Sequence, residues 1–451
     1  MTKDLTAGYP IKRILLFAFP LYLGILFQQF YNIVDTVIVG QLLGVKALAG
    51  VGSTGSACFL ILGFCNGICS GFSIPVARCF GAKQDSKMRR YVANSLWLSG
   101  FFAVILTTAV CILCRHILLL MHTPEDVFSY ANRYLFIILT GIPVVILYNL
   151  EAGILRALGD SKTPLYFLIF SSVVNIGLDL LTIFAFHMNV EGPALATVFS
   201  QALSAILCAF YIRRKFAILR MEKGEAKPFF PIMKELCGEG IPMGLQYSVT
   251  AIGSIILQTA MNGLGSNVVA GVTASMRIHA FLACPLEALG STMAPYTGQN
   301  MGAEKFDRIS KGTLSACLCG FAASAAILGI VLLIGKRLIS IFLDVPDEDV
   351  IYHAYRFLLC TSGCYCFLTI VNVVRFSIQG MGFSSIAIIS GVMEMIARSF
   401  VALILAPKFG FNALCFAHPL AWLMADLFLI PTFFICKKKI TRRATAAYAS
   451  T

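Results

Sequence analysis

Charge is what this chain has least of. Only 13% of its 451 residues are charged, whereas 58% are hydrophobic; an ordinary soluble domain carries about 25% charged residues. No polar stretch is long enough to fold as a soluble domain, the longest running from about Arg213 to Lys234. The glycine-containing turns Gly81-Ala82-Lys83 and Gly302-Ala303-Glu304 lack the lysine–serine/threonine pair of a phosphate loop, so ATP hydrolysis is not expected. No nucleophile elbow, metal cluster or pair of acids in a water-facing loop is present, and no enzyme activity or cofactor is expected. The sixteen cysteines lie mostly within apolar runs. Cys111-x-x-Cys114 and Cys364-x-Cys366 have ligand-like spacings without a second pair to complete a site. They read as small polarizable hydrophobes, not as a disulfide framework. A cleavable leader is not expected either, because the first apolar run begins near Ile14 and is too long for a signal-peptide core.

What is present is apolar sequence in repeated lengths sufficient to cross about 30 Å of hydrocarbon, which takes roughly 20 helical residues. Lipid offers no partners to backbone amides, so such spans are helices. Twelve are expected, at 14–43, 48–76, 93–114, 134–154, 164–187, 192–212, 235–263, 268–297, 312–335, 353–378, 384–406 and 411–436. The net charge of +13 is distributed as a topology signal. Twenty-five lysines and arginines, from Lys3, Lys12 and Arg13 to Lys437–Lys439, Arg442 and Arg443, fall on one side, against six on the other. That bias in short loops places both termini in the cytoplasm of a multi-pass cell-membrane protein. It also argues against nucleic-acid binding.

The chain repeats at an offset of 221 to 223 residues. Gly44 to Val51 reads GVKALAGV and Gly265 to Val272 reads GSNVVAGV. Pro20 matches Pro242, Glu125-Asp126-Val127 matches Glu348-Asp349-Val350, Arg133 matches Arg356, and Gly159 matches Gly382. Six spans per half, an even number, send both halves into the membrane in the same direction. The expected fold is thus all-α and polytopic: twelve transmembrane helices in two parallel six-helix repeats, with a substrate site near the midplane between them. The expected divisions are an N-terminal lobe over 1–212, a basic cytoplasmic linker over 213–231, and a C-terminal lobe over 232–451 with a basic tail. Two lobes already close one unit, so a monomer suffices.

Against this apolar background, buried polar residues stand out. Asp35 sits alone in about thirty otherwise uncharged residues. A carboxylate at that depth costs about 2.5–3.5 kcal/mol on insertion scales and is by default functional. Gln28, Tyr31, Asn32 and Asp35 recur at helical spacing and form one polar stripe. Asn175 and Asp179 share a face of the fifth span, and Thr197 offers a hydroxyl from the sixth. Two carboxyls with amide and hydroxyl neighbours can share a proton or coordinate a small cation through oxygen; the plainer alternative is a static network that pins helices. The second half does not copy this set: Ile256, Arg398 and Ala402 stand at the equivalents of Asp35, Asn175 and Asp179. It carries Glu394 and Arg398 four residues apart, which read as a neutralised pair, together with Glu287, Arg277 and Arg375. His279 and His418 lack ligand partners and read as packing or hydrogen-bonding residues, and Met243, Met261, Met276, Met293, Met393 and Met395 as core filling. Pro20 in the first span removes a backbone hydrogen bond and is a candidate for a static bend or a moving hinge.

Taken together, YNIVDTVIVGQLLG (31–44), PVARCFGAK (75–83), EAGILRALGDSKTP (151–164), NIGLDLL (175–181), EGPALAT (191–197) and APYTGQNMGAE (294–304) make the chain resemble the multidrug and toxic compound extrusion (MATE) transporters over nearly its whole length. The resemblance implies a V-shaped bundle of two six-helix lobes that opens alternately to each side. It also implies export of small organic, often cationic and aromatic compounds against inward H⁺ or Na⁺. The first-lobe cation site of similar members maps onto Asp35, Asn175, Asp179 and Thr197, with Gln28 and Tyr31 beside Asp35. A second subgroup uses acids in the seventh and tenth helices, whose cores carry none in this chain, so that site is not carried over. Arg375 and Arg398 would restrict a purely cationic substrate range if they faced the cavity. The alternative within the same superfamily is a flippase or exporter of a lipid-linked sugar or other amphiphile, whose members often have fourteen spans. A major facilitator protein would carry a GxxxDRxGRR-type loop where Gly81-Ala82-Lys83-Gln84-Asp85 stands.

Overall fold

A computed structural model describes residues 4–121, 123–341 and 347–449. Lys3 lies outside them, as does the side chain of Arg443. The described residues form helices and no strand. Nine helices are long and apolar enough to cross a membrane, and three further spans are bent pairs, which makes up to twelve among the described residues. Each expected span corresponds to one of these.

The bent pairs are Glu125–Thr140 with Ile142–Ala157 (48°), Ser266–Leu282 with Cys284–Gly302 (48°), and Glu348–Gly363 with Tyr365–Gly380 (49°). Pro143 and Pro285 stand just inside the second segments of the first two pairs, where the missing N–H and the ring break the ladder. In the third pair the break at Cys364 follows Gly363. The repeat is also written in the backbone. Lys83 and Glu304 both have positive φ (56° and 58°), as do Gly159 and Gly382, and Gly44 and Gly265. Gly44 and Gly265 precede helices at φ 85° and 102°, a region closed to most side chains.

The chain divides into two compact units, Met1–Asp4 with Leu23–Ser248, and Leu5–Tyr22 with Val249–Thr451. This differs from the division at 212 and 232. The first halves of the first span (Pro10–Leu43) and the seventh (Phe230–Asn262) each belong to the unit built by the other repeat. The reason is packing. In the first unit, Gly67 and Gly71 of the second span (Gly55–Gly81) face Gly244 and Gly240; an added Cβ would lie 2.6 Å and 2.5 Å from the opposing Cα atoms. Such small-xxx-small pairs allow backbone-to-backbone contact, which replaces the hydrophobic effect that lipid does not supply. In the second unit, Ile14 and Phe17 are buried in the core with Leu286, Leu289 and Tyr296. The residues ahead of them are held by Leu5 N–H donating to Gln299 Oε1 (2.9 Å) and Arg308 Nη1 donating to the Gly8 carbonyl (2.8 Å).

The connecting segment is shorter than expected, because the sixth span continues through Lys215 and the seventh begins at Phe230. It is clamped onto the third span (Asp85–Leu120) by acids, although its composition is basic. Glu225 is buried and accepts from Arg89 Nε (2.5 Å), Arg89 Nη2 (2.9 Å), Ser86 Oγ (2.7 Å) and its own segment's Glu222 N–H (2.9 Å). Phe229 N–H donates to Asn94 Oδ1 (2.7 Å), and Trp97 Nε1 to the Ala226 carbonyl (3.0 Å). The Arg89 guanidinium, with those donors, holds the Glu225 carboxyl down from 4.5 to about 2.

Two outcomes follow from this packing. Gly71→Val forces a branched side chain against the Gly240 backbone and destabilises the protein by about 1–3 kcal/mol, read as a lowered melting temperature in detergent. Gly100→Ala, where an added Cβ meets nothing within 4 Å, leaves the melting temperature unchanged. The second concerns pH. A carboxyl with a depressed folded value stabilises fully above its unfolded value of 4.5 and loses that contribution as pH falls towards about 2. Glu225→Gln therefore melts below wild type at about pH 7, and the gap closes as pH falls through that window.

Candidate functional site

All the first-lobe candidates lie in the first unit. The fifth span (Lys162–Phe184) and the sixth (Glu191–Lys215) pack along each other, and their facing surfaces carry Asn175, Asp179 and Thr197. Asn175 and Asp179 are fully buried, at 1% and 0% exposure. The Asn175 amide satisfies its neighbours in one orientation. Its Nδ2 donates to Asp179 Oδ2 (3.0 Å) and the Tyr31 hydroxyl (3.2 Å), while its Oδ1 accepts from the Thr197 N–H (3.1 Å) and hydroxyl (3.2 Å). The carboxyls of Asp35 and Asp179 lie within electrostatic reach of each other. Asp35 Oδ1 and Asp179 Oδ1 are shielded and have no hydrogen-bond partner.

Five of the seven stripe and cluster residues thus come together: Tyr31, Asp35, Asn175, Asp179 and Thr197. Gln28 and Asn32 do not. Both side chains are exposed and make no hydrogen bond to the cluster among the described residues; the stripe they were read into was expected to face the bundle or a cavity. Tyr134 on the fourth span was not anticipated. It lies within electrostatic reach of Asp35, Asp179 and Tyr31 and packs beside Val39 and Val190.

In the second unit, Glu394 is a shared partner and not half of a simple pair. Arg398 Nη2 donates to its Oε2 (2.9 Å), and Arg375 Nη2 donates to its Oε1. Both guanidiniums are buried and committed to Glu394. The histidines pack and hydrogen-bond, as expected: His279 Nδ1 bonds the Tyr365 hydroxyl (2.7 Å), and its ring stacks on His418 (6.2 Å) and Trp422 (6.2 Å). Met243, Met261 and Met293 fill cores, and the cysteines are free.

The MatE family profile matches the chain twice, over residues 20–181 and 242–404. The chain belongs to the MATE family. The two matches start 222 residues apart, the offset of the internal repeat. Among relatives, the probable multidrug resistance protein YpnP of Bacillus subtilis is 30% identical over 348 residues, 76% of this chain and 77% of that protein. The probable multidrug resistance protein YoeA of the same organism is 28% identical over 375 residues, 81% of this chain and 80% of it. An outward-facing MATE transporter of the MOP superfamily shares the fold with a TM-score of 0.90 at 20% identity, over 98% of this chain and 100% of that one. This MATE protein is a multi-pass membrane transporter and not an enzyme.

The cluster predicts its own stability effect. Asn175→Ala strands buried partners on Asp179 and Tyr31 and costs about 1–3 kcal/mol. Asn32→Ala, outside the cluster, leaves thermal unfolding in detergent within about 0.5 kcal/mol of wild type.

Proposed function

We propose that this MATE protein is an antiporter that exports small organic compounds, cationic and aromatic ones first among them, in exchange for H⁺ or Na⁺. One observation carries the reading: two membrane-embedded carboxyls, Asp35 and Asp179, lie within electrostatic reach of each other, and one oxygen of each is shielded without a protein partner. Such a pair is costly unless a proton or small cation neutralises it. Occupied, it is nearly neutral and compact; emptied, its like charges repel. Asn175, Thr197 and Tyr31 supply the oxygen and amide shell that holds the pair in register. Each elementary charge moved across 100 mV is worth about 2.3 kcal/mol, enough to bias alternation between two states.

Pro20 fits a moving hinge. The first helix runs unbroken through it, yet the chain passes from one compact unit to the other at Tyr22–Leu23, two residues on. Asp35 lies on the same helix beyond that crossing, so the ion site and the hinge share one helix. The basic-residue bias supports cytoplasmic termini in the cell membrane, and the repeat supports a monomer. The flippase alternative called for fourteen spans, and the described residues hold at most twelve.

Proteoliposomes loaded with a fluorescent aromatic cation test the proposal under separately imposed H⁺ and Na⁺ gradients. Wild type is expected to export dye with one gradient, and Asp35→Asn to lose at least about tenfold of the coupled rate, equivalent to roughly 1.4 kcal/mol. Asn32→Ala is expected to retain it. Coupled export by a correctly inserted Asp35→Asn protein would overturn the reading.

A further inference from the structure

A second carboxyl in the membrane interior has no role in the cluster above. Asp426 lies on the twelfth span (Ala417–Ala449), 3% exposed, and neither of its oxygens has a hydrogen-bond partner. The twelfth span packs against Tyr365–Gly380 and Ser384–Phe400, and the charged and titratable groups within electrostatic reach of Asp426 are Arg375 and Glu394 on those two helices and the Cys317 thiol on Phe306–Ile341. The pairing among these groups is uneven. Glu394 takes two guanidiniums, one on each oxygen, while Asp426 takes none. Arg375 also keeps a buried Nε without an acceptor.

A bare carboxylate buried in this way is costly, whereas a protonated one loses only a neutral hydrogen bond. The two-to-one arrangement therefore suits Asp426 as the neutral acid. The same four side chains have a second arrangement with equal numbers of cations and anions: Arg398 with Glu394, and Arg375 with Asp426. We infer that Asp426 is a second proton-binding site, in the second lobe, whose deprotonation draws Arg375 away from Glu394. The proton passes between the Asp426 carboxyl and water, and no bond other than O–H forms or breaks. A metal cation is disfavoured there by the adjacent guanidinium. The inference does not depend on the exchange reaction proposed for Asp35 and Asp179.

Infrared pH-difference spectra of the full chain in lipid nanodiscs test it without a transport assay. The parent is the Asp35→Asn/Asp179→Asn protein with ¹³C in the aspartate side-chain carboxyls, which leaves Asp426 as the one aspartate deep within a described span, since Asp85, Asp126, Asp307 and Asp349 stand in the first turns of theirs. An isotope-shifted protonated-carboxyl band is expected that disappears on alkalinisation and is absent from the same protein carrying Asp426→Asn. Adding Arg375→Gln to the parent removes the partner of the anion and is expected to move the loss of the band to higher pH. If the Asp426→Asn protein does not fold, the labelled parent and the Arg375→Gln protein decide the matter. A parent without the band at any pH, a band that survives Asp426→Asn, or a midpoint indifferent to Arg375→Gln overturns the inference.

Discussion

An ionisable side chain inside a bilayer must be neutralised, paired or hydrated, and the interior of this protein is organised by that constraint. Its buried acids solve the problem in different ways. Asp35 and Asp179 lean on each other and on a shell of amide and hydroxyl groups. Glu394 is held by two arginines. Outside the apolar spans, Glu225 is pinned by Arg89 and by backbone and hydroxyl donors. The first arrangement leaves unsatisfied oxygens, whereas the carboxyl of each of the latter two has a charged partner.

The second constraint is close packing without a hydrophobic driving force. Gly67 and Gly71 against Gly244 and Gly240 bring two helix backbones together in the first unit. Ile14 and Phe17 make the corresponding attachment of the first span in the second unit with side chains instead. The repeat is thus symmetric in path and asymmetric in chemistry. Each unit takes in half a helix from the other repeat, but one contact is glycine on glycine and the other is a filled apolar core. The polar interiors diverge in the same way, with carboxyls and amides in one unit and arginines, histidines and a tryptophan in the other.

Twelve spans, the internal repeat and the acids of the first and fifth spans were legible in the sequence, because hydropathy and helical spacing are local properties. So was the Glu394–Arg398 pair, four residues apart on one helix. Gln28 and Asn32 share the helical spacing of Asp35 but not its cluster, because spacing gives the face of a helix and not which of its residues a neighbouring helix covers. Arg375, Tyr134 and Asp426 could not be connected to their surroundings, because their partners lie on other spans at sequence separations that no period records.

The sequence by itself determined that this protein crosses a membrane many times, in two related halves, with carboxyls where lipid should forbid them. Composition and periodicity suffice for that, since a bilayer leaves helices as the way for an apolar chain to satisfy its backbone. Only the tertiary structure decided which polar groups meet across helices, which arginines are already paired, and where each half exchanges a helix segment with the other. Those outcomes depend on contacts between different helices, such as Arg375 with Glu394 and Asn175 with Thr197, and no local pattern in the chain encodes them.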